Sequence, residues 1–157
     1  MLGFFAALQV HQHSARELLL GELTASHVRS LLATHLMDVA SADQHTVKPW
    51  FDGKLDFAPP VKDLAEWGYP LAGGRLDYVS GRTVAALVYK RQKHFINLFI
   101  WPSDDASPTP RTSMKDGYNL ATWSNNGMTF WAVSDVNQSD LLEFANLLEH
   151  AIVHGPT

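Results

Sequence analysis

Residues 71–101 read LAGGRLDYVSGRTVAALVYKRQKHFINLFIW, and the period of their apolar side chains decides the fold class. Residues 71–79 alternate between apolar and polar side chains, whereas residues 83–90 and 94–101 are apolar on both faces. Alternation with a period of two predicts strands, and strands that are apolar on both faces are typical of the centre of a sheet. Two short polar turns join the three segments, which predicts antiparallel neighbours.

A second hairpin extends this sheet towards the C-terminus. Residues 118–124 and 128–134 alternate in polarity on either side of Asn126 and Gly127, a dipeptide that favours a tight hairpin turn. Residues 102–116 are rich in Ser, Pro and Asp, which predicts a long loop before this hairpin. The sequence therefore predicts five strands that follow one another as an antiparallel meander.

One predicted helix precedes the sheet and another follows it. Residues 14–37 carry an apolar stripe at helical spacing, and a final helix would be capped by Asn137 or Ser139 and end near residue 153. The stripe of the first helix consists of Leu20, Thr24, Val28, Leu31, Leu32, His35 and Val39. The predicted domain is α+β, spans residues 14–154 and has both helices on one face of the five-stranded sheet.

The other face of such a sheet needs a cover, because a monomer rarely exposes a large apolar patch. Residues 44–61, QHTVKPWFDGKLDFAPPV, combine three prolines and a glycine with six large apolar side chains, which predicts an irregular aromatic flap. The flap could complete the fold, or it could bind a peptide, a partner or a small ligand. The candidate binding residues are His45, Lys48, Trp50, Phe51 and Phe57.

Composition excludes several classes of function. The net charge is −4 and no run of lysines or arginines is present, so a nucleic-acid partner is not expected. The sequence has no cysteine, which excludes disulfides, thiolate zinc sites and a cysteine nucleophile. No G-x-S-x-G motif or phosphate-binding loop is present either. We therefore expect neither an enzyme nor a cofactor.

Eight histidines raise the question of a metal site. His27 and His35 are eight residues apart, so they differ by about 80° around a helix, and no H-E-x-x-H motif accompanies them. His35 is more typical of a hydrogen-bonded histidine in a core or an interface. His35 and His45 are the weak candidates for a metal site, and no metal site is predicted.

The N-terminal residues 1–13 begin with the apolar run MLGFFAALQV. A run of about ten residues is too short to cross a bilayer, which needs about 20. The run is interpreted either as the remnant of a membrane segment or linker, or as a frayed helical start.

Three segments carry a family resemblance: HTVKPWF-x-GKLDF-x-PPV, GGRLDY and INLF-x-WP. With the residues around them, over about 25–148, they resemble the extracytoplasmic domain of bacterial membrane-anchored anti-sigma factors, a group of transmembrane transcriptional regulators. The resemblance implies a cytoplasmic zinc-binding domain that holds a sigma factor, one membrane helix, and an outer sensory domain like this chain. The His-x-x-x-Cys-x-x-Cys motif of the cytoplasmic part is absent from this sequence.

The resemblance thus implies a regulatory domain on the periplasmic side of the cytoplasmic membrane, anchored by a single preceding helix. A sigma factor would be a partner only through the cytoplasmic part, and the aromatic face allows a homodimer. The alternative is a stand-alone module that binds a small ligand or a metal.

Overall fold

The computed structural model describes residues 2–32 and 36–155. Within these residues the chain forms three α-helices, one short 3-10 helix and seven strands, which confirms the α+β class. Their order is α1 (Leu2–Leu32), β1 (Val39–Ala40), α2 (Gln44–Trp50), the 3-10 helix (Ala65–Trp67), β2 (Leu71–Val79), β3 (Arg82–Arg91), β4 (His94–Pro102), β5 (Ser107–Lys115), β6 (Tyr118–Asn125), β7 (Met128–Ser134) and α3 (Gln138–His154).

The described strands form one antiparallel sheet in the order β1-β2-β3-β4-β7-β6-β5. The predicted five-stranded meander is therefore wrong in both strand number and strand order. After β4 the chain crosses to the far edge, forms β5, and returns through β6 and β7 to pair with β4. Strands β4 to β7 thus form a Greek key, in which β4 lies beside β7.

The two strands that the sequence did not predict lie at the edges of the sheet. β5 contains Pro108 and Pro110, and its register shifts between Ser107 and Arg111. Proline cannot donate to a strand ladder, but an edge strand pairs on one side only and tolerates it. β1 has two residues, which is too short for any alternation to be read from the sequence. The composition of 102–116 therefore predicted a loop where a strand exists.

Helices α1 and α3 lie on opposite faces of the sheet, so the prediction of both helices on one face is also wrong. Phe144 of α3 belongs to the same buried cluster as Leu87, while Leu23 of α1 belongs to a separate cluster with Phe99. Because β3 and β4 are apolar on both faces, each face needs its own cover. One helix supplies each cover.

The flap shares the α3 face with α3. Val47, Phe51 and Val61 are buried in the cluster that contains Phe144. The Phe51 ring packs directly on the backbone of β2, where a Cβ added at Gly74 would lie 3.0 Å from a ring carbon. The flap is therefore part of the core, but it lies on the face that α3 covers and not, as the sequence predicted, on a face without a helix.

Part of the flap is helical, although the prolines predicted an irregular segment. The Asp43 side chain accepts a hydrogen bond from the His45 backbone N–H and caps α2. Pro49 costs this helix one hydrogen bond, which a seven-residue helix tolerates because it ends at the next residue.

Helix α1 is longer than predicted and extends beyond the sheet. Its 31 residues span about 46 Å at 1.5 Å per residue. Residues 2–16, which include most of the apolar run, are exposed, and buried positions begin at Leu20. Among the described helices, none is both long enough and apolar enough to cross a membrane.

Candidate functional site

Two of the five predicted flap residues face solvent. His45 lies in the first turn of α2 and Lys48 in its last, and both are exposed. Neither side chain has a hydrogen bond or an ion pair within the described part of the chain. They are therefore accessible from solvent.

The three aromatic residues of the predicted site pack against the core, unlike that pair. Phe51 has no exposed surface, and Phe57 and Trp50 are partly buried against the same core. Trp50 meets Phe51 edge to face with ring centroids 5.1 Å apart, and the Lys54 ammonium lies 4.6 Å from the Trp50 ring centre. The structure therefore does not bring the five predicted residues into one site.

The weak metal candidates form no metal centre in the described residues. His35 lies outside them, and His45 is exposed. Across residues 2–32 and 36–155, no group of three or more His, Asp or Glu side chains is close enough to hold a metal ion.

A different set of residues forms a buried polar layer between α1 and the sheet. We call this layer the polar latch, and it consists of Ser26, His27 and Ser30 of α1, Arg75 and Asp77 of β2, and Asn97 of β4. Five of the six are buried, and the sixth, Asp77, is partly buried. A helix normally packs on a sheet through apolar side chains, so this buried polar layer is the candidate functional site of the domain.

Asn97 is the centre of the polar latch, and none of its surface is exposed. Its side-chain oxygen accepts a hydrogen bond from the Arg75 guanidinium. Its amide nitrogen donates to His27 Nδ1 at 2.5 Å and to Ser30 Oγ at 3.3 Å. One amide thus connects the sheet to two successive turns of α1.

Arg75 forms a charged pair with Asp77 on β2 and also bonds to Leu36, which lies between α1 and β1. Its Nη2 donates to Asp77 Oδ2 at 2.9 Å, and its Nη1 donates to the Leu36 carbonyl at 3.1 Å. Ser26 Oγ donates to the same Asp77 oxygen at 2.5 Å. Burial lowers the pKa of Arg75, and Asp77 opposes that shift, so the guanidinium stays charged.

His27 is neutral in the polar latch. Burial lowers its pKa to about 4, against the opposing pull of Asp135, and the nearby Arg75 charge lowers it further. Because Asn97 donates to Nδ1, the proton lies on Nε2, which has no hydrogen-bond partner among the described residues. The ring packs edge to face on Tyr118 with centroids 5.4 Å apart. A protonated His27 would place a second buried cation near Arg75.

A surface cavity of about 380 Å³ opens beside the polar latch. Ser26, Ser30, Arg75 and Asp77 line it on the inside, and the exposed Arg29 lies at its rim. The latch is therefore accessible from solvent on one side, although its members are mostly buried.

The sequence contains a signal for the polar latch, although no motif includes it. Arg75 and Asp77 occupy alternate positions of β2 and share a face, and Asn97 interrupts a strand that is otherwise apolar. A polar residue in a central strand needs a buried partner. The apolar stripe predicted for α1 is right at Leu20 and Thr24, which are buried. It is wrong towards the C-terminal end of α1, where Leu31 and Leu32 are 41% and 82% exposed. The buried residues there are Ser26, His27 and Ser30.

No protein-family model, curated protein or solved structure matches the chain. The family resemblance of the sequence segments therefore stays a prediction.

Proposed function

We propose that this chain is the extracytoplasmic sensory domain of a membrane-anchored anti-sigma factor, and that α1 transmits its signal. One observation carries the proposal: the polar latch is built from the segments that resemble this family. Arg75 and Asp77 belong to GGRLDY, and Asn97 belongs to INLF-x-WP. The latch residues of α1 lie at the start of the resembling region, which begins at about residue 25. The resemblance therefore coincides with the contact between α1 and the sheet.

The two halves of α1 suit such a role. The exposed half carries apolar side chains, among them Leu2, Phe4 and Phe5, which would continue towards a membrane helix in the proposed architecture. The docked half is held to the sheet by Leu20, Leu23 and the polar latch. A continuous helix transmits displacement at one end to the other, because its backbone hydrogen bonds keep it rigid.

In the proposed role, α1 passes between a docked and a released state. The docked state is held by hydrogen bonds from Ser26 to Asp77 and from Asn97 to His27 and Ser30. Release would leave the buried Asn97 and Arg75 to be satisfied by water, so docking depends on all of these bonds together. Release of α1 would expose the helix to proteolysis or change its direction at the membrane, and free the sigma factor inside the cell.

The experiment compares two alleles of the full-length gene in its own cells. Asn97→Ala breaks the latch, and Asn146→Ala, an exposed asparagine on α3, is the matched control. We expect Asn97→Ala to switch on, without a signal, the same set of promoters that deletion of the gene switches on. The control allele leaves them silent. If deletion activates no common set of promoters, the proposed function is wrong. If deletion activates them but Asn97→Ala does not, the role of the latch is wrong.

A further inference from the structure

A second concave surface, separate from the polar latch, lies between α1 near Arg16 and Leu19 and the sheet strands β3 to β7. Its cavity measures about 370 Å³, within the range of small-molecule sites. We call it the arginine groove, and it is lined by Arg16 of α1, Arg82 of β3, Arg111 of β5, Trp101 of β4 and Trp131 of β7, with the hydroxyl residues Thr122, Ser124 and Thr129.

The Greek key order of the strands builds this groove. Pairing of β4 with β7 places Trp101 opposite Thr129, and pairing of β6 with β7 places Thr122 opposite Trp131. Arg111 of the edge strand β5 is opposite Thr122. Aromatic rings, hydroxyls and a guanidinium therefore share one face of the sheet.

The charge of the groove is positive although the chain carries a net charge of −4. Its lining includes three arginines and one carboxylate, Asp105. None of the four ion pairs within the described residues involves Arg16, Arg82 or Arg111. Three guanidinium groups without a carboxylate partner are complementary to an anionic ligand.

Each arginine retains donors for such a ligand. Arg111 is exposed and makes no hydrogen bond within the described residues. Arg82 uses one nitrogen, Nη1, on the Pro102 carbonyl at 3.2 Å. The Arg16 guanidinium lies over the Trp131 ring, 5.9 Å from its centre, which orients it without using its hydrogen-bond donors. A planar guanidinium binds a carboxylate through two parallel hydrogen bonds.

The tryptophans and hydroxyls narrow the class of anion. The half-buried Trp101 offers an apolar ring, and its indole N–H has no partner among the described residues. Ser124 Oγ and Thr129 Oγ1 form a hydrogen bond with each other at 2.8 Å, so each keeps further capacity for a ligand hydroxyl. A pyranose ring has an apolar face that stacks on an indole and hydroxyls that suit these groups.

We infer that the arginine groove binds an acid-bearing pyranose sugar. The sugar ring stacks on Trp101, its hydroxyls bond to Ser124 and Thr129, and its carboxylate is held by Arg111 with Arg16 or Arg82. Because Arg16 and Leu19 of α1 form one wall, the bound sugar contacts both α1 and the sheet. A ligand that contacts both binds the docked state more tightly and favours it. That last consequence rests on the proposed function, whereas binding itself does not.

The test measures binding of D-glucuronate to this chain by isothermal titration calorimetry. Two comparison ligands separate the contributions of the acid and of the ring. D-glucose has the same ring without the acid, and benzoate has the acid on a flat ring without hydroxyls. We expect glucuronate to bind at least about tenfold more tightly than either, since a charge-assisted hydrogen bond contributes about that factor.

Two protein variants locate the site. Arg111→Gln removes an exposed arginine of the groove, and we expect it to weaken glucuronate binding about tenfold. Lys93→Gln removes an exposed cation outside both the groove and the cavity beside the polar latch, and it serves as the matched control with unchanged affinity. Absence of glucuronate binding, equal binding of glucose or benzoate, or an unchanged affinity in Arg111→Gln would overturn the inference. Promoter activation in cells tests the proposed function separately, so either can fail alone.

Discussion

Replacement of Asn97 by alanine removes the centre of the polar latch, and the structure sets the size of the effect. His27 Nδ1 becomes a buried acceptor without a partner, which costs about 1–3 kcal/mol. Arg75 loses one hydrogen bond to its charged group, worth about 1.5–3 kcal/mol, but keeps its bonds to Asp77 and the Leu36 carbonyl. Ser30 keeps its bond to the His27 carbonyl. We therefore expect the free energy of unfolding to fall by about 3–5 kcal/mol.

The assay is equilibrium unfolding in urea, followed by tryptophan fluorescence and by far-UV circular dichroism. Asn146→Ala is the control, because that asparagine is exposed, and we expect it to change the free energy of unfolding by less than about 0.5 kcal/mol. A double-mutant cycle with Ser30→Ala should give a coupling energy of about 0.5 kcal/mol or more. A loss below about 1 kcal/mol in Asn97→Ala would refute the latch as a buried, water-free network.

Three further predictions concern His27, the flap and the exposed half of α1. The pKa of His27 is about 4 in the folded chain and 6.5 in the unfolded chain, so the unfolded state binds the proton more readily. About 3 kcal/mol of the free energy of unfolding is therefore present above pH 6.5 and lost as the pH falls to 4. Urea unfolding between pH 7 and 4 checks this, and the His27→Gln variant should lack that part of the slope. Phe51→Ala should cost about 3–5 kcal/mol in the same assay, because the ring is fully buried, whereas Trp67→Ala, at 56% exposure, should cost far less. Removal of residues 2–13, whose side chains are all exposed, should change the free energy of unfolding by less than about 0.5 kcal/mol, and a larger loss would show that this half of α1 packs on the domain.

Local patterns predicted the centre of the sheet well. β3 and β4 were predicted within about one residue of their observed bounds, since a run that is apolar on both faces has few other stable environments. The hairpin of β6 and β7 followed from Asn126 and Gly127, both of which have the positive φ that a tight hairpin turn requires. These elements depend on neighbours in the sequence.

The errors concern contacts between distant parts of the chain. β4 pairs with β7 because the chain first forms the edge strand β5. The prolines of β5 are typical of a loop, so the sequence did not predict that strand. The two apolar faces of β3 and β4 implied a cover on each side, but the sequence alone did not tell which helix covers which face. A five-stranded sheet with both helices together was the simpler arrangement, and the structure excludes it.

The candidate site was missed for a related reason. Catalytic and metal sites bring together acids, histidines or nucleophiles, whereas the polar latch combines single polar residues from three distant segments. The arginine groove likewise depends on strand order, because Arg111 of β5 and Trp101 of β4 lie on one face of the sheet with β6 and β7 paired between them. By contrast, the flap residues that the sequence singled out are adjacent in sequence and diverge in the structure.

The size and cellular fraction of the native protein test the central claim most directly. An antibody raised against this chain, used on membrane and soluble fractions of the cells that make it, reports both. The account predicts a membrane-bound band well above 17.5 kDa, the mass of this chain. A soluble band at 17.5 kDa would contradict it, because such a protein has neither the anchor nor the cytoplasmic part through which α1 would control a sigma factor.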